Sequence, residues 1–434
     1  MASDTDGFGN PIDPSVSYAR GTILRDLGDE ALRMLNGRRL IRERVLAGGR
    51  DTVFNLTALS RSFPVDEDDL GRLDTQFTYY AHFDRAVEDK VVEFLGGNPE
   101  EHAGFVTNRI SAAMIPIMCT MLEPGDALLS IVGKGRSHPS MERGVRLAQG
   151  EFHEAYGYAG AADALASGIR PALAAVTPIS HAKHHMDYDD LVRTLRLFAD
   201  EGIPVFLDDA HLSARMAVFG EPPSFQVGPV DIAIFSTDKH MIGPRAGPMA
   251  GRKDLIEKIQ GFSFGHGIDA QTSHAAAVYR AIEKYDPEPV AEAGRLAELL
   301  LGSMRQKFGS DAVYSAGPGI GIAEDTIVNL ALDRAGGRKL AIMPIEATSA
   351  VCMYLLEKYG VVTIPAVGMP GSSPSIRFML YPDGGRFGGE RIVDALEDGL
   401  DFLAERLDDP AAAQQTILGP FAEQRDTGQP GAAG

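Results

Sequence analysis

Two short polar segments carry side chains that could perform covalent chemistry. Asp208-Asp209-Ala210-His211 follows one apolar run of the chain, and Ser236-Thr237-Asp238-Lys239-His240 follows the next. A lysine amine forms a Schiff base with an aldehyde. An ionised carboxylate beside a pyridine nitrogen keeps that nitrogen protonated, so that the ring accepts electrons. Either residue alone would more often be a structural charge at a strand end. Together, Asp208 and Lys239 predict a site for pyridoxal 5′-phosphate (PLP).

A sheet must bring these segments together. Short apolar runs alternate with helical patterns through the middle of the chain, and this alternation predicts βαβ units with a largely parallel sheet covered on both faces. The five expected strands are 104–107, 127–132, 172–176, 204–207 and 232–235. Because parallel sheets bind ligands at the carboxyl ends of their strands, we expect the functional residues directly after these runs.

From residue 309 onward the pattern changes to a mixture of helices and one extended segment. The helix expected at 390–407 has a single apolar face, formed by Val393, Leu396, Leu400, Leu403 and Leu407. We therefore expect a smaller α+β domain at 309–408, after a large domain at 56–308. An N-terminal arm and helix are expected at 1–55, and a flexible tail at 409–434, which is rich in Ala, Gln, Gly and Pro.

The composition excludes some classes of partner. The formal net charge is −19, and so acidic a chain repels phosphate backbones and anionic lipid, so neither nucleic acid nor a membrane surface is expected. Cys119 and Cys352 are far apart, which is typical of a reducing cytoplasm and not of a disulfide framework. The polar N-terminus does not resemble a signal peptide, and no apolar run approaches the ~18 residues of a spanning helix. We expect a cytoplasmic protein.

The two polar segments resemble motifs of known enzymes. Asp208–His211 resembles the D-x-A-(Q/H) segment of class V aminotransferase-like and cysteine-desulfurase-like PLP enzymes, and Ser236–Gly247 resembles their S-x-x-K…G-P-x-x-G segment. Ser236–Lys258 is also similar to the bacterial selenocysteine synthase-like branch. The resemblance extends over residues 85–280 and is at fold level beyond them. It implies an α/β protein of fold type I, with a mostly parallel seven-stranded sheet in the large domain and a smaller α+β C-terminal domain.

The same resemblance implies a role for each matching residue. Lys239 binds the cofactor and then acts as the general base at the substrate Cα, while Asp208 pairs with the pyridine nitrogen. His211 occupies the position that contacts the ring hydroxyl side or assists proton transfer. Ser236 occupies the position of a phosphate-binding serine. Because these enzymes build the active site between two subunits, a homodimer or a larger homo-oligomer is implied.

A phosphate site is expected where the first strand leads into a helix. Thr107-Asn108-Arg109-Ile110-Ser111 lies there, and a helix N-terminus with Ser and Asn side chains is suited to a phosphate group. The family's phosphate loop lies at this position, but its glycine is missing and Arg109 stands in the loop, where it could add a charge-assisted contact. The alternative is ordinary capping of the helix by Asn108 or Ser111.

Histidines follow the second and third strands. His138 resembles the aromatic group that stacks on the pyridine ring, and the alternative is a solvated turn residue. Ser180, His181 and His184 lie in the loop that contacts the ring hydroxyl and the substrate in the family. The imidazole-rich H-x-x-H-H pattern of this loop could indicate a metal site, but no acid or cysteine completes it nearby, so no metal is expected.

Arg377 lies on an expected strand of the small domain, where the family places an arginine that binds the substrate carboxylate; the alternative is a surface salt bridge. Together these residues predict a PLP enzyme acting on a small L-amino acid through a Schiff base and a quinonoid. Side-chain elimination or replacement is favoured over transamination, the runner-up, because the motifs match non-aminotransferase branches. A selenocysteine synthase acting on charged tRNA is disfavoured by the net charge of −19, and a non-catalytic member by the intact Asp208 and Lys239.

Overall fold

The structure is a computed structural model that describes residues 5–426. The strands within these residues are β1 (Ile12–Asp13), β2 (Tyr18–Ala19), β3 (Phe54–Asn55), β4 (His102–Thr107), β5 (Ala127–Val132), β6 (Glu151–Tyr156), β7 (Pro171–Thr177), β8 (Val205–Asp208), β9 (Ile232–Ile234), β10 (Gly247–Arg252), β11 (Tyr314–Ser315), β12 (Gly319–Ile322), β13 (Val361–Val362) and β14 (Ile376–Met379).

The helices within the same residues are α1 (Leu27–Gly48), α2 (Glu67–Arg72), α3 (Gln76–Phe83), α4 (Ala86–Phe94), α5 (Ile110–Met121), α6 (Pro139–Leu147), α7 (Gly157–Ala166), α8 (Tyr188–Asp200), α9 (Leu212–Phe219), α10 (Ser224–Val227), α11 (Lys253–His266), α12 (Thr272–Glu283), α13 (Glu288–Phe308), α14 (Glu324–Leu332), α15 (Pro344–Tyr359), α16 (Ile364–Val367), α17 (Gly384–Phe387), α18 (Gly389–Ala404), α19 (Pro410–Leu418) and α20 (Ala422–Asp426). No helix among these is long and apolar enough to cross a membrane.

Contacts divide the chain into two units. Ala58–Glu292 forms the first, which we call the sheet unit. The described residues up to Thr57, together with those from Ala293 onward, form the second, which we call the terminal unit. The boundary falls inside α13, before the expected domain end at residue 308. The expected N-terminal arm shares a unit with the C-terminal residues.

The sheet unit contains a seven-stranded sheet in the order β4-β10-β9-β8-β7-β5-β6. Strand β10 is antiparallel to both of its neighbours, and the other pairs are parallel. Successive side chains of a strand point to opposite faces, so Leu207 packs into one apolar core and Phe206 into the other. The prediction of a mostly parallel seven-stranded α/β sheet is confirmed.

Two strands of this sheet are absent from the five expected ones, for physical reasons. Strand β6 lies at the sheet edge and has half-exposed or exposed side chains along its length, so it lacks an apolar run. Strand β10 has the sequence GPMAGR, which predicts a turn because Gly and Pro are depleted in strands. The backbones approach closely here: a Cβ at Gly251 would lie 2.6 Å from the Asp231 carbonyl oxygen.

The terminal unit combines a three-stranded sheet, β11-β12-β14, with helices α14, α15 and α18. Helix α1 belongs to it, and two of its buried polar side chains find hydrogen-bond acceptors there. The buried guanidinium of Arg33 donates to the carbonyls of Pro365 (2.8 Å) and Gly368 (2.9 Å). Asn36 of α1 donates to the carbonyl of Ile417 at 3.1 Å. Polar groups that would be costly to bury without acceptors thus fix the first helix.

The expectation of a flexible tail from residue 409 is wrong for its first part. Pro410–Leu418 forms helix α19, which Asp409 caps by accepting from the backbone N–H of Ala412 at 3.0 Å. Ile417 and Leu418 are fully buried, and the helix packs against α1. Short apolar side chains on one face outweigh a composition rich in Ala and Gln. Residues 427–434 of the expected tail lie outside the described residues.

Candidate cofactor site

Thirteen of the fourteen predicted site residues lie at the carboxyl ends of five strands of the sheet unit, in the loops that follow them or at the start of the next helix. The exception, Arg377, lies on β14 in the terminal unit. Strands β8 and β9 are parallel neighbours, with Asp208 in register with Ile234. Residue 208 and the loop of Lys239 therefore leave the sheet side by side, as the sequence predicts.

Asp208 is the last residue of β8 and is 5% exposed. Burial raises the pKa of this carboxyl to about 6, while the charge of Lys239 acts in the opposite direction. The backbone of Ala210 donates to the carboxylate, yet its Oδ1 atom has no hydrogen-bond partner among the described residues. A buried carboxylate oxygen without a donor is costly. A protonated pyridine nitrogen would supply the missing donor, so this residue fits PLP.

Asp209 is in a different environment although it is the next residue. Its Oδ2 accepts from Arg215 at 2.6 Å and from the Ser224 hydroxyl at 2.8 Å. The guanidinium of Arg215 is fully buried and also pairs with Glu221 at 3.2 Å. This network satisfies the carboxylate of Asp209 within the sheet unit, and Asp208 takes no part in it.

The segment before helix α2 supports the lysine loop. The N–H of Ser60 donates to the Asp238 carbonyl at 2.9 Å, and the N–H of His240 donates to the Ala58 carbonyl at 3.0 Å. Leu59 therefore pairs with Lys239 in an antiparallel bridge. Lys239 itself is half-buried. Backbone hydrogen bonds on both sides of the lysine fix the position of its backbone.

The glycines of the G-P-x-x-G segment are required by close packing. A Cβ at Gly243 would lie 2.5 Å from the Thr237 carbonyl oxygen. A Cβ at Gly247 would lie 2.8 Å from the backbone nitrogen of Ile110, at the start of α5. Larger residues would push the lysine loop and the expected phosphate loop away from each other.

Helix α5 begins at Ile110 with Arg109 in the capping position and no side-chain capping hydrogen bond. The residue at the capping position is thus Arg109, and not Asn108 or Ser111 as the alternative had it. Asn108, Arg109, Ile110 and Ser111 are half-buried, and the backbone N–H groups of a first helical turn lack intrahelical partners. These residues fit an anionic phosphate group.

Two predicted cofactor residues have their hydroxyls directed within the protein. Thr107 is fully buried and donates to the Gly247 carbonyl at 3.0 Å. Ser236 donates to Oδ1 of Asp238 at 2.6 Å. Both hydroxyls join parts of the loops around the site, and their contact with the cofactor stays a prediction.

His138 caps helix α6, with its Nδ1 accepting from the N–H of Ser140 at 3.2 Å. Its ring lies 4.9 Å from the ring of His181, edge to face. Burial, and then the charges of Lys239, Arg143 and Lys183, lower its pKa to about 3. The alternative of a solvated turn residue does not describe this environment. A neutral, half-buried ring suits stacking on a pyridine.

The loop after β7 is a closed turn. The N–H of Ser180 donates to the His184 carbonyl at 2.9 Å, and the N–H of His184 donates to the Ser180 hydroxyl at 3.2 Å. His185 pairs with Glu221 at 2.6 Å and stacks on Phe219. Within residues 5–426, no group of three His, Cys, Asp or Glu side chains could hold a metal ion.

His211 is buried at the start of α9, and two residues that the sequence analysis missed lie beside it. The Nζ atom of Lys183 contacts its Nε2 atom, and the ring of His240 lies 5.6 Å away. Lys183 and His240 both have positive φ, 72° and 54°, as do Ala58 and Arg61 in the supporting segment. Left-handed backbone in side-chain-bearing residues marks strained positions, which cluster at functional sites. The residue types of Lys183 and His240 alone did not indicate that these residues lie beside His211.

Arg377 is 3% exposed, so the alternative of a surface salt bridge is wrong. Burial lowers its pKa, while Tyr314 and Glu324 act in the opposite direction. Burial also raises the pKa of Glu324 to about 6. The binding of a substrate carboxylate by Arg377 stays a prediction.

Comparisons with known proteins agree with this chemistry. A family model described as the UPF0425 C-terminal domain matches residues 318–386. A UPF0425 pyridoxal phosphate-dependent protein from Methanothermobacter thermautotrophicus is 32% identical over 399 residues, which cover 92% of this chain and 100% of that protein. An L-seryl-tRNA(Sec) selenium transferase from Edwardsiella ictaluri is 24% identical over 353 residues, 73% of each chain.

Two solved structures share the fold at low sequence identity. A chain of the SepCysS–SepCysE N-terminal domain complex is 14% identical, with a TM-score of 0.56 over 81% of this chain and 95% of that one. The α-aminoadipate aminotransferase LysN of Thermus thermophilus is also 14% identical, with a TM-score of 0.54 over 88% of this chain and 97% of that one. These similarities confirm the predicted fold type I. By virtue of the relative that is 32% identical along its whole length, the chain belongs to the UPF0425 pyridoxal phosphate-dependent protein family, and it is a PLP-dependent enzyme of the aminotransferase-like fold.

Proposed function

We propose that this enzyme eliminates or replaces a side-chain group of a small L-amino acid. The observation that carries the proposal is the buried Asp208 carboxylate, whose Oδ1 lacks a donor, beside the half-buried Lys239. The similarity to a selenium transferase, at 24% identity, supports replacement chemistry over transamination. The net charge of −19 argues against a tRNA-bound substrate, so we propose a free amino acid.

Each residue of the sheet unit would have a distinct task. When bound, PLP supplies an electron-accepting ring for bond cleavage at the substrate Cα. Asp208 holds the ring nitrogen protonated, and the amine of Lys239 anchors the cofactor and then moves the Cα proton. His138 covers one face of the ring and keeps water from it. The N-terminus of α5 and Arg109 bind the phosphate group.

The remaining predicted residues would act on the substrate and the ring hydroxyl. His211 and Ser180 are proposed on the hydroxyl side, with His181 and His184 toward the substrate. We propose Arg377 for the α-carboxylate, because a planar guanidinium binds a carboxylate through two parallel hydrogen bonds.

We also propose that the protein is cytoplasmic and at least a homodimer. Large apolar side chains are exposed in the sheet unit between residues 63 and 80: Phe63 (50%), Leu70 (63%), Phe77 (82%) and Tyr80 (46%). Ile242, three residues after Lys239, is 58% exposed. So many exposed apolar side chains within one stretch of the chain are typical of a subunit contact. Sedimentation as a monomer at micromolar concentration would contradict this part of the proposal.

The first experiment is the visible absorption spectrum of the purified protein with PLP. We expect a yellow protein whose visible band is abolished by borohydride and is missing in Lys239→Ala. Lys258→Ala, an exposed lysine of α11, is the matched control and should keep the band. A wild-type protein that stays colourless after incubation with PLP would contradict the proposed site.

The reaction is tested by incubating the loaded enzyme with single L-amino acids, without a keto-acid acceptor. Catalytic release of ammonia together with the side-chain group is expected for elimination. When a thiol is added as the incoming nucleophile, catalytic release of the side-chain group without ammonia is expected for replacement. A single stoichiometric conversion of the cofactor to pyridoxamine phosphate would instead indicate transamination and would contradict the proposed reaction.

A further inference from the structure

A carboxylate on the edge strand of the sheet faces the loop that carries His138. Glu154 lies on β6, in register with Ser130 of the neighbouring strand β5. Charged side chains of an edge strand usually point to solvent, and Glu151 of the same strand is 69% exposed. The side chain of Glu154 is only 14% exposed, so it has contacts within the protein.

These contacts are with the segment directly before His138. Oε2 of Glu154 accepts from the backbone N–H of Ser137 at 2.7 Å, and Oε1 lies 4.0 Å from Nε of Arg136. A hydrogen bond from an amide to a carboxylate is short and roughly twice as strong as one between neutral groups. The residue before His138 is therefore tied to a strand of the sheet.

A second contact holds the same residue from β5. The hydroxyl of Ser137 lies 2.7 Å from that of Ser130, and both side chains are buried. Gly135, two residues earlier, has a φ of 83°, and glycine is conformationally permissive. The contacts from β5 and β6 thus order a segment whose own sequence allows several conformations.

His138 is fixed on its other side by helix α6. The helix begins at Pro139, directly after the histidine, and Nδ1 of His138 accepts from the N–H of Ser140 at 3.2 Å. Stacking of two aromatic rings depends on their distance and offset. A shift of the backbone at Ser137 would therefore change how the His138 ring lies against a pyridine.

We propose that Glu154 is a positioning residue of the cofactor site, whose carboxylate holds the N–H of Ser137 and thereby places the His138 ring against the cofactor. The inference rests on the proposed function, in which His138 covers one face of the pyridine ring. The hydrogen bond between Glu154 and Ser137 is a property of the protein without PLP.

Hydrogen exchange measured by NMR in the protein without PLP tests this hydrogen bond. The Ser137 amide should exchange at least tenfold faster in Glu154→Leu, because leucine has a similar volume but offers no acceptor. Glu154→Gln retains an acceptor oxygen and should keep most of the protection. Glu151→Leu, on the same strand, is the matched control and should exchange like the wild type. A Ser137 amide that is unprotected in the wild type would overturn the proposal without any variant.

A double-mutant cycle on PLP binding separates positioning from a purely structural role. Glu154→Leu should weaken PLP binding about fivefold and shift the visible band, and Glu154→Gln should restore both. In a His138→Ala background, the same Glu154→Leu substitution should change the affinity less than twofold, because residues that act through one another are not additive.

The outcomes distinguish this inference from the proposed function. Equal losses of affinity in the wild-type and His138→Ala backgrounds would overturn the positioning role of Glu154, while binding of PLP by the wild type would still support the proposed function. A wild-type protein that binds no PLP would contradict the proposed function, and this role with it.

Discussion

Asp208 and Asp209 are consecutive residues with opposite environments. Arg215 donates to Asp209 at 2.6 Å inside a closed network, whereas one buried oxygen of Asp208 has no hydrogen-bond partner in the part of the chain that the structure describes. Alternation of side chains at the end of β8 produces this difference. One carboxylate stabilises the fold, and the other is a buried acid with an unsatisfied oxygen, which costs stability.

Asp208→Asn should stabilise the protein without PLP at pH 7.5 and abolish its tight PLP binding. Burial raises the pKa of Asp208 from 3.8 to about 6. Between these two pH values, the folded state holds a proton that the unfolded state has released. The free energy of unfolding of the wild type therefore falls as pH rises from about 4 to about 6, by up to about 3 kcal/mol. Urea unfolding of both proteins at pH 4 and pH 7.5 measures this. A variant less stable than the wild type at pH 7.5 would contradict it.

Asp209→Asn is the matched substitution and should have the opposite effect. It leaves the fully buried guanidinium of Arg215 with Glu221 as its remaining acidic partner. Breaking a buried ion pair from one side costs about 3–5 kcal/mol. Urea unfolding without PLP should show this loss at pH 7.5. Equal stability of the Asp208→Asn and Asp209→Asn proteins would mean that the two environments are not as different as the structure shows.

His138→Phe should retain the cofactor spectrum and remove a sensitivity to acid. Burial lowers the pKa of His138 to about 3, whereas an unfolded histidine takes up a proton near pH 6.5. The contribution of His138 to stability is thus present above pH 6.5 and is lost as pH falls toward 3. Thermal unfolding should show a weaker dependence on pH for the variant between pH 6.5 and pH 4. NMR evidence that His138 is protonated at pH 6 would contradict this expectation.

Gly247→Ala should weaken binding of the phosphate group specifically. The added Cβ would lie 2.7 Å from Oγ1 of Thr107 and 2.8 Å from the nitrogen of Ile110, so the start of α5 must shift. We expect PLP to bind about tenfold more weakly, ~1.4 kcal/mol, while pyridoxal, which lacks the phosphate, is little affected. Gly261→Ala, where the new Cβ would meet nothing within 4 Å, is the control. Equal losses of affinity for PLP and for pyridoxal would mean that the substitution does not act on the phosphate site.

The sequence predicted the parts of the site that depend on residue type and strand order. Asp208 and Lys239 lie at the ends of strands with buried apolar runs. Such runs can be recognised in a sequence because both faces of a parallel sheet are covered, so nearly every residue of the strand is apolar. Strand β10 was missed because its glycines serve close backbone contact, which leaves no hydrophobic pattern. Lys183 and His240 were missed because their contribution depends on backbone conformation and on contacts between distant loops, which composition and periodicity do not encode.

The position of α1 has a consequence for the order of synthesis. Arg33 and Asn36 leave the ribosome early, but the carbonyls that accept their hydrogen bonds belong to Pro365, Gly368 and Ile417, which are made almost last. Ala58–Glu292 is complete well before then and can fold as a unit during translation. The polar side chains of α1 that are buried in the folded protein therefore stay hydrated until the C-terminal part of the chain has been synthesised.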